Sequence, residues 1–187
     1  MQYRKATQQD IAAIAQIYAD IHTQEESGAV TIGWNRAIYP TEQTARLALQ
    51  RGDLFVQEQD GTITGAAIIN QIQVDCYYGA KWQHKAPDEK VMVLHTLVIA
   101  PAAGRKGLGQ DFVSFYEQYA LQNGCPCLRM DTNARNTRAR AMYKKLGYSE
   151  PDIVPCVFNG IEGVQLVLLE KMLTDQTHPD TANDPAY

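Results

Sequence analysis

With 187 residues, 45% of them hydrophobic and 20% charged, the chain is long enough to bury one sizeable core and has the composition of a globular domain. A formal net charge of −4 argues against nucleic acid or an anionic membrane as the main partner. No apolar run approaches the ~20 residues of a membrane span, and the opening MQYRKATQQD lacks a secretory apolar core, so a cytoplasmic protein is expected.

In chain order, Thr7 is placed to cap a helix over residues 10–19, with Ile11, Ile14, Ile17, Tyr18 and Ile21 as its apolar stripe. Residues 22–39 have no clear period but carry Gly28, Gly33, Trp34 and Tyr39. Pro40 and Thr41 open a second helix that runs through Gln50 and ends at Gly52. Strands over 54–58 and 63–70 flank Asp60-Gly61, a dipeptide suited to the two positive φ angles of a type I′ hairpin turn. Residues 71–90 are polar, yet Tyr77, Tyr78 and Trp82 make them more than a linker.

Residues 91–100 form a near-continuous apolar strand, expected at the centre of a sheet and covered on both faces. Pro101 ends it. A helix over 108–123 presents Leu108, Phe112, Phe115, Tyr116 and Tyr119 on one side, with Gly124 just past its end. A strand over 127–131 and a short helix bearing Ala139, Met142, Tyr143 and Leu146 come next. Strands over 153–158 and 164–170 close the pattern around Asn159-Gly160. Residues 1–172 read as one domain and 173–187 as a polar, disordered tail. The fold class is α/β, a mixed central sheet of about six to seven strands with helices on both faces.

Cys76, Cys125, Cys127 and Cys156 are too few for a disulfide scaffold in a chain of this length, and C-x-C alone is a poor zinc signature. They read as reduced, mostly buried small hydrophobes, and no metal is expected. The basic residues Arg129, Arg135, Arg138, Arg140, Lys144 and Lys145 are opposed locally only by Asp131. Such a patch in an acidic protein suits a small polyanion.

The chemistry is concentrated where the strand VLHTLVIA meets Pro101, the turn Gly104-Arg105-Lys106-Gly107-Leu108-Gly109 and a long helix. Glycines at a strand-to-helix turn let backbone N–H groups converge on an anion, and the helix dipole adds the equivalent of roughly half a positive charge. Arg105 and Lys106 add side-chain charge, so the turn suits a phosphate or pyrophosphate. A P-loop is absent, and a dinucleotide fingerprint starting at Gly107 meets Phe112 where its third glycine belongs.

This turn resembles the pyrophosphate loop of the GNAT N-acetyltransferase superfamily, Arg/Gln-x-x-Gly-x-Gly/Ala. Gly104 stands at the first position, and Arg105 is the residue available to replace it. Asn136, Ala139, Tyr143, Lys145, Gly147 and Tyr148 reproduce the family's second block at its usual distance. The resemblance extends more loosely over residues 1–172.

It implies direct transfer of an acetyl group from acetyl-CoA to a primary amine, and the aromatics of the two irregular segments favour a small-molecule acceptor. Leu97, Val98, Ile99, Arg105, Lys106, Gly107, Leu108, Gly109, Gln110, Asn136, Ala139 and Arg140 would bind the cofactor. Tyr143 would protonate the departing thiolate, and His95, which alternates with Val93 and Leu97, would take the amine proton. Glu58 and Glu89 are lesser candidates for that base. Trp34, Tyr39, Tyr77, Tyr78 and Trp82 are candidates to line the acceptor pocket. Asn136 suits a helix cap as well as a pantetheine contact. A peptide acceptor and a non-catalytic CoA-binding regulatory module are the alternatives, and a homodimer is compatible with each.

Overall fold

The computed structural model describes residues 1–103 and 107–174. Within them a seven-stranded sheet comprises β1 (Gln2–Lys5), β2 (Leu54–Gln59), β3 (Thr62–Asn70), β4 (Val91–Ile99), β5 (Cys127–Asn133), β6 (Ser149–Phe158) and β7 (Ile161–Met172). Its order is β1-β2-β3-β4-β5-β7-β6, and β4–β5 is a parallel pair between antiparallel neighbours. The helices are α1 (Ile11–Glu26), α2 (Glu42–Arg51), α3 (Leu108–Gln122) and α4 (Thr137–Lys145). The expected α/β class and mixed sheet are present.

Local chemistry accounts for most boundaries. Asp10 accepts from the Thr7 N–H at 2.7 Å and takes a bidentate pair from Arg4, so β1 and the start of α1 are fixed together. Gly52 ends α2 at φ +76°, and Asp60 and Gly61 both take positive φ, as a type I′ turn requires. The expectation missed β1, whose four residues show no useful period, and it ended α1 seven residues early.

Three buried clusters divide the core. Phe112, Val113, Tyr116 and Tyr143 of α3 and α4 cover one face of the sheet, against Met92, Leu94, Leu128 and Met130. On the other face, α1 and α2 cover Leu54, Val56, Ala66, Ile68 and Val98. Tyr77 and its neighbours cover the remainder of that face over Val91, Val93, Cys127 and Leu168. The segment 71–90 therefore substitutes for a helix, and β4 is central and covered on both faces.

One irregularity in β4 positions the site. Ala66 pairs with Val98, but Ile68 pairs with His95, so one extra residue is accommodated, and Thr96 lies at φ +51°. This bulge reverses the alternation. Leu97 and Ile99 pack with the α3 cluster, whereas Val98 joins the α1–α2 cluster. The expected alternation of His95 with Leu97 on one face is thus incorrect.

Candidate active site

The parallel ladder between β4 and β5 stops early. Its rungs run from Val91–Cys127 to Leu94–Met130, although the strands continue to Ile99 and Asn133. Beyond the last rung they diverge, and a cleft of about 1380 Å³ opens there. The Ala100 N–H donates to the Thr64 carbonyl across β3. Strand alternation therefore turns the amides of Leu97 and Ile99 away from β3, toward the gap. Leu97, Val98 and Ile99 all line the cleft.

At one end stand Gly107, Leu108, Gly109 and Gln110, where α3 begins. Gly107 takes φ +104°, a conformation few side chains tolerate. A Cβ on Gly109 would lie 3.3 Å from Met142 Sδ, so bare backbone lets α3 approach α4. Buried Gln57 donates to the Leu108 carbonyl at 3.1 Å and to the Tyr3 hydroxyl at 2.9 Å, which pins this helix start. Arg105 and Lys106 lie outside the described residues.

Asn136 caps α4, with Oδ1 accepting from the Ala139 N–H at 3.2 Å and Nδ2 donating to Thr132 Oγ1 at 3.2 Å. Asn136 and Ala139 line the cleft, and so does Arg138. Arg140 does not. Its guanidinium donates to both Glu150 oxygens, at 2.9 and 2.7 Å, and to the Ala134 carbonyl. Arg129 also leaves the expected basic patch, because it is buried under Trp82, with Cζ 4.2 Å from the ring centre.

Tyr143 is buried in the α4 core, faces the cleft, and its hydroxyl makes no hydrogen bond among the described residues. Burial, reinforced by the charge on Asp131, raises its pKa well above the ordinary tyrosine value. Its hydroxyl therefore stays protonated at physiological pH. His95 also lines the cleft. Its Nε2 lies 3.1 Å from both the Ile72 carbonyl and Asn70 Oδ1. A carbonyl only accepts, so Nε2 carries the proton. Burial lowers the pKa of His95 to about 4. Glu58 is engaged by Arg4, and neither Glu58 nor Glu89 lines this cleft.

Sequence reasoning missed Asp131. It lines the cleft just past the last β4–β5 rung, and the Tyr77 hydroxyl donates to its Oδ2 at 2.7 Å. Burial pushes its carboxyl up to about 7. An acidic residue ending a strand in an otherwise basic stretch was the available signal.

Of the acceptor candidates, Trp34 and Tyr39 line the cleft and meet edge-to-face, with ring centres 6.2 Å apart. The Tyr39 hydroxyl is hydrogen-bonded to Thr96 Oγ1 at the bulge. The other three are corrected. Tyr77 is buried behind Asp131, Trp82 packs on Tyr77 and Arg129, and Tyr78 is 67% exposed outside the cleft. Tyr77 and Trp82 instead pack the 71–90 segment onto β5.

Residues 27–41 reach across the mouth. Thr31 Oγ1 donates to the Arg135 carbonyl at 3.1 Å, and the Glu25 carboxylate accepts from the N–H groups of Ile32 and Gly33. Gly33 abuts the Asn133 side chain, and Ile38 lies against Gly160 in the β6–β7 turn.

A parallel strand pair that splays beside a glycine turn, with Tyr143 lining the gap, is the arrangement that the sequence resemblance implies. The family model described as the GNAT acetyltransferase family matches residues 12–148, and the chain belongs to that family. It is 37% identical over 62 residues to the uncharacterized N-acetyltransferase YhfO of Bacillus subtilis. That match covers 33% of this chain and 42% of YhfO, less than half of that relative's length. The fold is similar to a Streptococcus agalactiae GNAT acetyltransferase, with TM-score 0.72, 21% identity and coverage of 93% of this chain and 96% of that one. It is also similar to the putative acetyltransferase yncA of Salmonella typhimurium, solved with acetyl-CoA, with TM-score 0.65, 20% identity and coverage of 97% and 99%. For the ribosomal-protein-alanine N-acetyltransferase of Brucella melitensis the values are 0.68, 17%, 92% and 100%.

Among the described residues no group of three or more His, Cys, Asp or Glu side chains is placed to hold a metal ion. No helix there is long and apolar enough to cross a membrane.

Proposed function

We propose that this protein transfers an acetyl group from acetyl-CoA to the primary amine of a small molecule, directly and within a ternary complex. The observation that carries the proposal is the gap past Leu94 and Met130, with Leu97 and Ile99 amides turned into it and Tyr143 beside it. Those amides suit the thioester carbonyl, where negative charge grows during attack. Gly107, Gly109 and the start of α3 suit the pyrophosphate, and Arg138 adds a basic residue to the cleft lining. The acetyl-CoA found in the similar yncA structure supports the same donor.

Tyr143, protonated at neutral pH and lining the gap, returns a proton to sulfur as the C–S bond breaks. The ordering of both substrates in one cleft supplies much of the remaining acceleration. Residues 27–41, anchored on both the α4 and the β6–β7 sides, favour a compact acceptor over an extended peptide. The ribosomal-protein acetyltransferase of similar fold keeps a peptide acceptor as the second reading.

Calorimetric titration with acetyl-CoA, followed by amide-resolved NMR, tests the binding half. One-to-one binding should shift the amides of Leu97, Ile99, Gly107 and Gly109 and leave those of β1 unmoved. Binding without shifts at those four amides would refute the site.

A further inference from the structure

We propose that Asp131 is the ammonium anchor and proton acceptor of the cleft, so that the acceptor is a basic amine that arrives charged. The assignment rests on the acetyl-transfer reading and specifies its substrate class. Three observations lead to it.

First, position. Asp131 follows Met130, the last β5 residue paired with β4, and so stands at the fork of the splayed strands. Leu128 and Met130 face the α3–α4 core, whereas Cys127 and Arg129 face the other side with Tyr77 and Trp82. Asp131 continues that second set. The gap is thus flanked by Tyr143 from one face of the sheet and by Asp131 from the other. The charge on Asp131 is felt at Tyr143, Tyr39, Tyr77, Cys76 and Cys156, the titratable groups around it.

Second, incomplete satisfaction. Oδ2 accepts from Tyr77, but Oδ1 has no hydrogen-bond partner, and the carboxylate has no ion-pair partner, among the described residues. Asp131 is half-buried at the cleft wall; a carboxylate largely withdrawn from water without a cation is costly, and a charged amine in the cleft would supply one.

Third, proton affinity. An alkylammonium of pKa ~10.4 must lose a proton before attack. Asp131, at about 7, lies nearer that value than His95, at about 4 and with Nε2 already committed to Ile72.

The balance closes. The ammonium gives one proton to Asp131, and its nitrogen forms the bond to the thioester carbon. The C–S bond then breaks, sulfur takes the Tyr143 proton, and the new amide nitrogen returns one to the tyrosinate. Asp131 passes its proton to solvent.

The test pairs benzylamine, an ammonium at pH 7, with aniline, which is neutral there. Under saturating acetyl-CoA, Asp131→Asn should lower kcat/KM for benzylamine by roughly 10²- to 10⁴-fold and for aniline by less than about tenfold. Equal losses would overturn the assignment. Independently of turnover, the ¹³C carboxyl resonance of Asp131, identified by its disappearance in Asp131→Asn, should titrate near neutral pH. Added benzylamine should move that midpoint down. A carboxyl in the ordinary range that ignores benzylamine overturns the assignment alone, whereas absent acetyl-CoA binding fails the acetyl-transfer reading itself.

Discussion

Asp131 carries a stability cost that can be measured apart from catalysis. Its folded pKa of about 7 lies above the unfolded carboxylate value of ~3.9, so the folded state holds the proton more tightly. Its contribution is fully present below about pH 4 and is lost as pH rises through about 7. Asp131→Asn should therefore melt a few degrees higher than wild type at pH 8 and at nearly the same temperature at pH 4, while losing activity. Scanning calorimetry at the two pH values checks this, and a variant less stable at both would speak against a strained carboxylate. His95 behaves in the opposite sense. Its folded pKa of about 4 is below the ordinary ~6.5, so its contribution is present above that value and lost as pH falls through about 4. His95→Gln should reduce the acid sensitivity of the melting temperature between about pH 6.5 and pH 4, read from the same scans.

At the scale of elements, the strap formed by residues 27–41 and the bulge in β4 shape the acceptor end. Gly33 sits at φ +84° against Asn133, so Gly33→Ala faces both a left-handed backbone and a collision. The strain of roughly 1–2 kcal/mol should loosen the strap and raise the acceptor KM about tenfold, with the acetyl-CoA Kd changed less than about threefold. Steady-state kinetics and calorimetry separate the two.

These elements also mark the limit of what the residues disclosed in advance. Helices with a clear apolar stripe, the two Asx-Gly hairpin turns and the apolar run of β4 were legible because period and turn chemistry are local. The bulge at Thr96 was not, because a single extra residue leaves no trace in composition and reverses which face Leu97 meets. The aromatics of 71–90 misled for a related reason. Trp82 and Tyr77 look like pocket residues in sequence, but Arg129 and Asp131 on β5 are the partners that orient them, and those pairings are long-range. The glycine turn and Tyr143 were readable through the family resemblance, and Trp34 and Tyr39 through their irregular segment. Asp131 stood out in sequence only as an acidic strand end in a basic stretch, and its place in the cleft appears only with the strand fork.

For the molecule as a whole, the cleft is lined jointly by β4, β5, α3, α4 and the strap. A ligand filling it should couple them. At about 100 times its Kd, acetyl-CoA should stabilise the fold by ~2.7 kcal/mol. For a chain of this size, that corresponds to a rise of roughly 5–10 °C in melting temperature. CoA lacking its pyrophosphate should give a much smaller rise, since it cannot use the Gly107 turn and the start of α3. Equal shifts would move the binding energy away from that turn.

Release of free thiol from acetyl-CoA in the presence of a panel of primary amines, measured for wild type and Tyr143→Phe side by side, is the most direct test of the proposed reaction. At least one basic amine should stimulate release by wild type. Tyr143→Phe should lose roughly 10²- to 10⁴-fold of that rate while binding acetyl-CoA with unchanged affinity. Amine-stimulated release that proceeds equally well without the Tyr143 hydroxyl would contradict the mechanism, and a protein that does not bind acetyl-CoA would contradict the function.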